Sequence, residues 1–271
     1  MLVIVSPAKK LNLENEKIPD IAKTKPMFDS DAKSLAKIAA EKSEGEIAKL
    51  MHISPKLAEG AANWFATFSP KQSGSDAKPA AFMFSGDTYV GLEVRTMDKN
   101  ALKQAQNRLF ILSGLYGALR PFDVIRPYRM DMGTKLKTPK GKNLYDFWGS
   151  KVSKAISAQA KETKAKAIIN LASKEYFSVL DESLLGVPVI TPVFKEIQDG
   201  EIRTLGLFAK RARGAMARWI MENNIKKPDD IKTFNVNGYK FQPGASNETE
   251  WTFARPQPKS KSAAKKPRKA K

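Results

Sequence analysis

The sequence predicts an α/β protein: a mixed sheet flanked by helices, with an N-terminal helical subdomain. Two observations carry this. Four short runs, residues 2–5, 81–84, 109–112 and 167–171, are apolar throughout, as strands covered on both faces are. Between such runs the apolar residues recur at helical spacing, and strands alternating with helices define the α/β class. At 271 residues the chain can bury a core without staples.

Taken in order, the strand at 2–5 ends at Ser6-Pro7. Leu35, Ile38 and Ala39 share one helical face, and Ile47, Leu50 and Met51 mark a second helix. Ser54 followed by Pro55 reads as an N-cap before a proline at the first helical position, opening a third helix through Phe65. Residues 30–68 thus form the helical subdomain. The stretch PKQSGSDAKP at 70–79 is a loop by composition. The strands at 81–84, 109–112 and 167–171 end in Ser85-Gly86, Ser113-Gly114 and Ala172-Ser173. Further strands are expected at 187–194, 202–208 and 234–241, and helices at 98–107, 143–160 and 210–224. Residues 1–254 read as one domain. The segment 255–271, basic and without a large apolar residue, reads as a disordered tail.

Composition excludes several chemistries. The chain has no cysteine and one histidine, His52, so disulfides, thiolate metal sites, a cysteine nucleophile and multi-histidine metal sites are ruled out. His52 sits near a helix end, where a packing or capping role is the simpler account. No cofactor is expected. The apolar run at the start is too short for a signal peptide, and no apolar run approaches the roughly 18 residues that cross a bilayer, so a cytoplasmic protein without membrane attachment is expected.

The formal net charge is +19, and three segments account for all of it: +6 in 108–142, +5 in 203–218 and +8 in 255–271. A positive potential concentrated in this way attracts polyanions, nucleic acid foremost.

Three features are candidates for chemistry. Ligands of open α/β sheets sit at the carboxyl ends of strands, and here those ends carry Ser6, Ser85, Ser113 and Ser173, with Lys9, Asp87, Tyr116 and Lys174 near them. The plainer account is that serine and glycine begin turns. The second feature is residues 112–135. Each of two prolines follows an arginine, so Arg120, Arg126, Arg129 and Lys135 lie along a stiff irregular loop, interleaved with Tyr116, Phe122 and Tyr128. Guanidinium forks suit phosphate and aromatic rings suit stacking, but Asp123 and Asp131 could equally pair with the arginines. The third is the helix at 210–224. Ala212, Ala215, Met216, Trp219 and Ile220 fall on one face, and Lys210, Arg211, Arg213 and Arg218 spread over the other around Gly214. A helical glycine costs about 1 kcal/mol relative to alanine. It is tolerated where something packs closely, either a phosphate backbone or another protein segment. Asp87, Asp123, Asp131 and Glu175 could form a carboxylate site, though their spacing does not require one.

Several stretches together carry a resemblance. They are SPAKKLN at 6–12, FSGDTYVGLE at 84–93, LSGLYGALRP at 112–121, PYRMDMGTKL at 127–136, GKNLYDFWG at 141–149, NLASKEYF at 170–177 and KRARGAMARWI at 210–220. With these the chain resembles the YaaA family of bacterial peroxide-stress-resistance proteins. The resemblance implies an α/β fold with a basic cleft and a helix-hairpin-helix-like element, binding to double-stranded DNA, and a limit on iron-dependent oxidative damage. Lys9, Lys10, Arg120, Arg129, Lys135 and Arg213 are the motif positions it implies at the cleft. With no evident ligand set for iron, the effect on iron is expected to be indirect. The expected function is therefore largely sequence-independent DNA binding in the cytoplasm, with nucleoid association. The alternative is an enzyme acting on a nucleotide, a phosphorylated substrate or nucleic acid at the strand ends. No small-molecule ligand is indicated by the sequence. FSGDTY and its like are more particular than electrostatic binding needs, which keeps the alternative in view.

Overall fold

The computed structural model describes residues 1–68 and 76–258. The chain opens with β1 (Leu2–Val5), whose four side chains are completely buried. Three helices follow: α1 (Asp29–Ala40), α2 (Glu44–Met51) and α3 (Pro55–Ala66). They bury Leu35, Ala39, Ile47, Ala58, Ala61 and Phe65, and they constitute the helical stretch expected at 30–68. Ser43 caps α2 by accepting from the Glu46 amide, and Glu46 answers with a bond from the Ser43 amide at 2.9 Å. Pro55 opens α3 as expected, but Ser54 makes no capping bond with its side chain. His52 ends α2 in a left-handed conformation.

The next segment departs from expectation. After β2 (Lys78–Pro79), residues 81–84 do not form a strand but lie mainly in the short helix α4 (Ala80–Met83), all of it buried. A run of four apolar residues has no period, so a buried helical turn and a buried strand look alike in sequence. Then come α5 (Asp87–Leu92), α6 (Lys99–Arg108), β3 (Leu109–Ser113), β4 (Gly117–Leu119) and β5 (Val124–Ile125). Asp98 caps α6 by accepting from the Ala101 amide at 2.7 Å. The helix expected at 143–160 is two, α7 (Leu144–Trp148) and α8 (Lys151–Glu162), parted at Gly149, whose φ of +47° a glycine adopts at little cost.

β6 (Ile168–Leu171) leads into α9 (Lys174–Phe177). β7 (Val189–Gln198) follows, running four residues past its expected end, and then β8 (Glu201–Arg203). The strand expected at 202–208 stops at Arg203, because α10 (Gly206–Glu222) begins earlier than its charge pattern suggests. The segment expected as a strand at 234–241 contains only β9 (Lys240–Phe241), and β10 (Glu250–Pro256) ends the described chain. The helix-hairpin-helix-like element is not shown. After α10 the chain makes a six-residue 3-10 turn, Pro228–Thr233, and a shorter one at Val236–Gly238. Residues 255–257 do not belong to a disordered segment as expected: Arg255 and Pro256 are paired in β10, and the Gln257 amide donates to Ile197 at 2.9 Å. Residues 259–271, and 70–75 of the expected loop, lie outside the described residues. Of that loop, Lys78 and Pro79 pair with β5.

Among the described residues eight strands form one sheet in the order β4-β3-β1-β6-β7-β10-β9, with β8 paired to β7. β3, β1, β6, β7 and β10 are parallel, while β4, β8 and β9 are antiparallel. The chain runs from β1 to β3 on one side, then crosses to β6 on the other. The strand order therefore reverses between β1 and β6, and open α/β sheets bind ligands in the crevice outside the carboxyl ends at such a reversal. Among the described residues no helix is long and apolar enough to cross a membrane.

Candidate functional site

The crevice at that reversal holds a cavity of about 430 Å³. The turn after β1 supplies Ser6, Ala8, Lys9 and Lys10, and the turn after β6 supplies Ser173, Glu175 and Tyr176. Gly86, Asp87 and Thr88 enter from the start of α5, Asp131 from the irregular loop, and Lys210 and Arg213 from α10. Distant parts of the sequence thus meet at the strand ends.

Each wall has a local cause. The Ser173 amide donates to Ser6 Oγ at 2.9 Å, tying the turn after β6 to the turn after β1. Tyr89 donates to the Ser6 carbonyl at 3.2 Å. α5 and α10 cross in direct backbone contact. A Cβ at Gly214 would lie 1.8 Å from the Thr88 carbonyl oxygen, and one at Gly91 would lie 1.9 Å from that of Arg211. Only glycine fits at either position. Of the two occupants the sequence allowed beside Gly214, the structure shows a protein segment. That crossing sets Arg213 beside Asp87 and Thr88.

The electrostatics are mixed. Lys9 pairs with Asp131 at 2.9 Å, and the other Asp131 oxygen accepts from Tyr176 at 3.1 Å. Burial, reinforced by Asp131, pushes the Tyr176 phenol far above its ordinary range, so it serves as a neutral donor. Arg211 pairs with Asp87 at 3.0 Å. Glu175 accepts from the Gly133 amide at 3.0 Å. Arg213 is half-buried, and burial lowers its pKa with no carboxylate offsetting it among the described residues. Lys10 and Lys210 line the same cavity, exposed and without an acidic partner among the described residues.

A second cavity of about 430 Å³ adjoins the first and shares Lys9, Asp131 and Glu175 with it, adding His52, Thr134 and Lys135. Arg129 lines a gap with room for about one water, which shares Lys9 and Asp131 with both cavities. Lys174 is exposed just beyond Ser173 and does not line either cavity.

The other sequence-derived residues lie elsewhere. Arg120 pairs with the fully buried Asp123 at 3.3 Å, and Arg126 with Asp76 at 2.9 Å, so these two arginines take the structural alternative. Arg218 pairs with Glu93 at 3.0 Å and Glu222 at 2.8 Å. Ser113 is buried and hydrogen-bonded to Tyr128 at 2.7 Å, and Ser85 donates its amide to the Lys10 carbonyl at 2.8 Å. Neither serine lines either of the two cavities. Tyr116, Phe122 and Tyr128 are buried, and Tyr116 packs edge-on against Tyr128 with centroids 5.4 Å apart. They are core and present no stacking surface. Tyr176 escaped the sequence reading, although it lies in the NLASKEYF stretch two residues past Lys174. Among the described residues no group of three histidine or carboxylate side chains is arranged to hold a metal ion.

A mostly parallel α/β sheet with a polar cavity of mixed charge at its reversal point defines an open-sheet α/β protein with a strand-end site. The chain belongs to the family described as peroxide stress protein YaaA, which it matches over residues 1–245. It is 44% identical over 265 residues to a UPF0246 protein of Dinoroseobacter shibae, covering 98% of each chain. It is 45% identical over 258 residues to a UPF0246 protein of Caulobacter vibrioides, covering 95% of this chain and all of the other. A UPF0246 protein of Janthinobacterium sp. is 45% identical over 255 residues, 94% of this chain and 98% of that one.

Proposed function

We propose that this chain serves the peroxide-stress response by binding double-stranded DNA through its phosphates, with little dependence on sequence, at a basic face around the carboxyl ends of β1 and β6. The observation that carries this is a set of cations without acidic partners among the described residues. Lys10, Lys174 and Lys210 are exposed around those strand ends, Lys135 lines the adjoining cavity, and Arg129 lines the small gap that shares Lys9, Asp131 and Tyr176 with the first. Lysine and arginine in such a set release counterions from phosphate and carry no base readout. The basic residues from 259 onward add non-specific affinity to a single folded domain. On this reading the protein works in the cytoplasm on the nucleoid, and its effect on iron is indirect.

A salt titration of binding to a short duplex tests it. The full chain, a chain ending at Pro258, and that shorter chain with Lys10, Lys174 and Lys210 changed to alanine are compared. The shorter chain should still bind. The triple substitution should weaken binding and flatten the slope of log K against log salt by about 0.9 for each phosphate no longer neutralised. A shorter chain that no longer binds, or a slope that the substitutions leave unchanged, would overturn the reading.

One observation favours a second reading, an enzyme acting on a nucleotide or another phosphorylated substrate. Ser6, Asp87 and Arg213 line a concave pocket of small-molecule size.

A further inference from the structure

The carboxylates of the first cavity are what DNA docking on exposed lysines leaves unused. Asp87, Asp131 and Glu175 repel a polyanion. Their placement is ordered. The adjoining cavity shares Lys9, Asp131 and Glu175 with the first but none of Lys10, Lys210 or Arg213. With Asp87 counted at the α10 end, where Arg211 pairs with it, and Lys9 at the far end, where it pairs with Asp131, the first cavity is net cationic toward α10, through Lys10, Lys210 and Arg213, and net anionic toward its neighbour, through Glu175. Such polarity complements a ligand with an anionic head and a body rich in N–H and O–H donors.

We propose that this cavity holds a single nucleotide unit, its phosphate on Arg213 and Lys210, its sugar and base donors toward Asp131 and Glu175. The volume, about 430 Å³, falls within the range of roughly 300–1,000 Å³ of small-molecule sites. Arg213 is half-buried, lacks an anion among the described residues, and springs from the backbone next to Gly214, where α5 and α10 touch. A planar guanidinium there suits a phosphate bidentately. The unit has two sources: a free nucleoside monophosphate, or a nucleotide turned out of a duplex, as proteins that act on bases require. The second source rests on the DNA reading above, and the first does not.

Calorimetric titration of the full chain with the four deoxynucleoside monophosphates, with deoxyadenosine and with inorganic phosphate tests the cavity. A duplex carrying one unpaired 2-aminopurine, whose fluorescence rises when it unstacks, is compared with the fully paired duplex. At least one monophosphate should bind more tightly than nucleoside or phosphate. Arg213→Ala should weaken it about ten- to a hundredfold, the range for a charge-assisted pair. Lys210→Ala, at an exposed position, should weaken it several-fold and guards against misfolding of the first variant. A fluorescence rise abolished by Arg213→Ala identifies the extruded source, and monophosphate binding alone the free one. Two results overturn the proposal: no monophosphate and no unpaired duplex binds better than its control, or both well-folded variants bind like the parent. Loss of salt-sensitive binding to the paired duplex with monophosphate binding intact would instead remove the DNA reading alone.

Discussion

Asp31 shows how one residue joins two parts of the chain. It leaves α1 to meet Lys151 at 2.7 Å and Lys140 at 3.2 Å, tying that helix to the segment ahead of β6. Burial alone would raise its carboxyl, but the bonds from both lysines outweigh that and hold it below the ordinary 3.8. A lowered carboxylate stabilises the fold above its unfolded pKa and loses that contribution as pH falls through the folded value. Asp31→Asn should therefore lower the melting temperature at pH 7, by the equivalent of about 0.5–1 kcal/mol because both lysines are well exposed. The gap from the parent should close below about pH 4, and thermal melts across pH check it. None of this is legible locally, since Lys140 and Lys151 lie 109 and 120 residues away. The same holds for the candidate site. Its residue types could be named in advance, but which arginines are free could not. Arg120 and Arg126 differ from Arg213 only in where the fold puts an aspartate.

Among the elements, α10 shows most clearly the limit of helical periodicity. Its apolar face was legible, and Ala212, Ala215, Met216 and Ile220 are buried as that face implies. Its other half is not a solvated basic surface, because Gly214 and Ala217 are buried too and α5 lies against it. Two glycines permit that crossing, so Gly214→Ala, which puts a methyl into backbone, should cost about 3 kcal/mol or more. Gly60→Ala in α3, with nothing within 4 Å of the added methyl, should stabilise by up to about 1 kcal/mol. Urea denaturation of the two variants gives opposite signs if the crossing is as described, and a neutral Gly214→Ala would contradict it. The strand expected at 81–84 failed for another reason. Four buried apolar residues satisfy a helical turn as well as a strand, and the choice belongs to what surrounds them.

Across the whole molecule, the last strand closes the fold instead of starting a tail. Arg255 lies 3.5 Å from the buried Glu196, stacks over Tyr239 at 4.3 Å and donates to the Asn237 carbonyl at 3.0 Å. Ending the chain at Ala254 leaves the Glu196 carboxylate in the core without its cation, with only Tyr239 and the Leu205 amide as donors, whereas ending at Pro258 keeps the network. Breaking a buried pair costs about 3 kcal/mol or more, and at this size each kcal/mol moves the melting temperature by about 2–4 °C. The shorter chain should melt about 6–12 °C below the longer one. Equal melting temperatures would show that Arg255 is not part of the folded unit.

The amino-acid order alone carried the α/β class, β1, β3 and β6, the three N-terminal helices and the family motifs, because buried strands, amphipathic helices and contiguous motifs are written in neighbouring residues. The tertiary structure decided which cations have partners, which serines meet and where the cavity opens. Arg211 meets Asp87 across 124 residues, and Ser6 meets Ser173 across 167. Pairs at such separation depend on the order of strands in the sheet, and the reversal of that order between β1 and β6 makes the crevice where they converge.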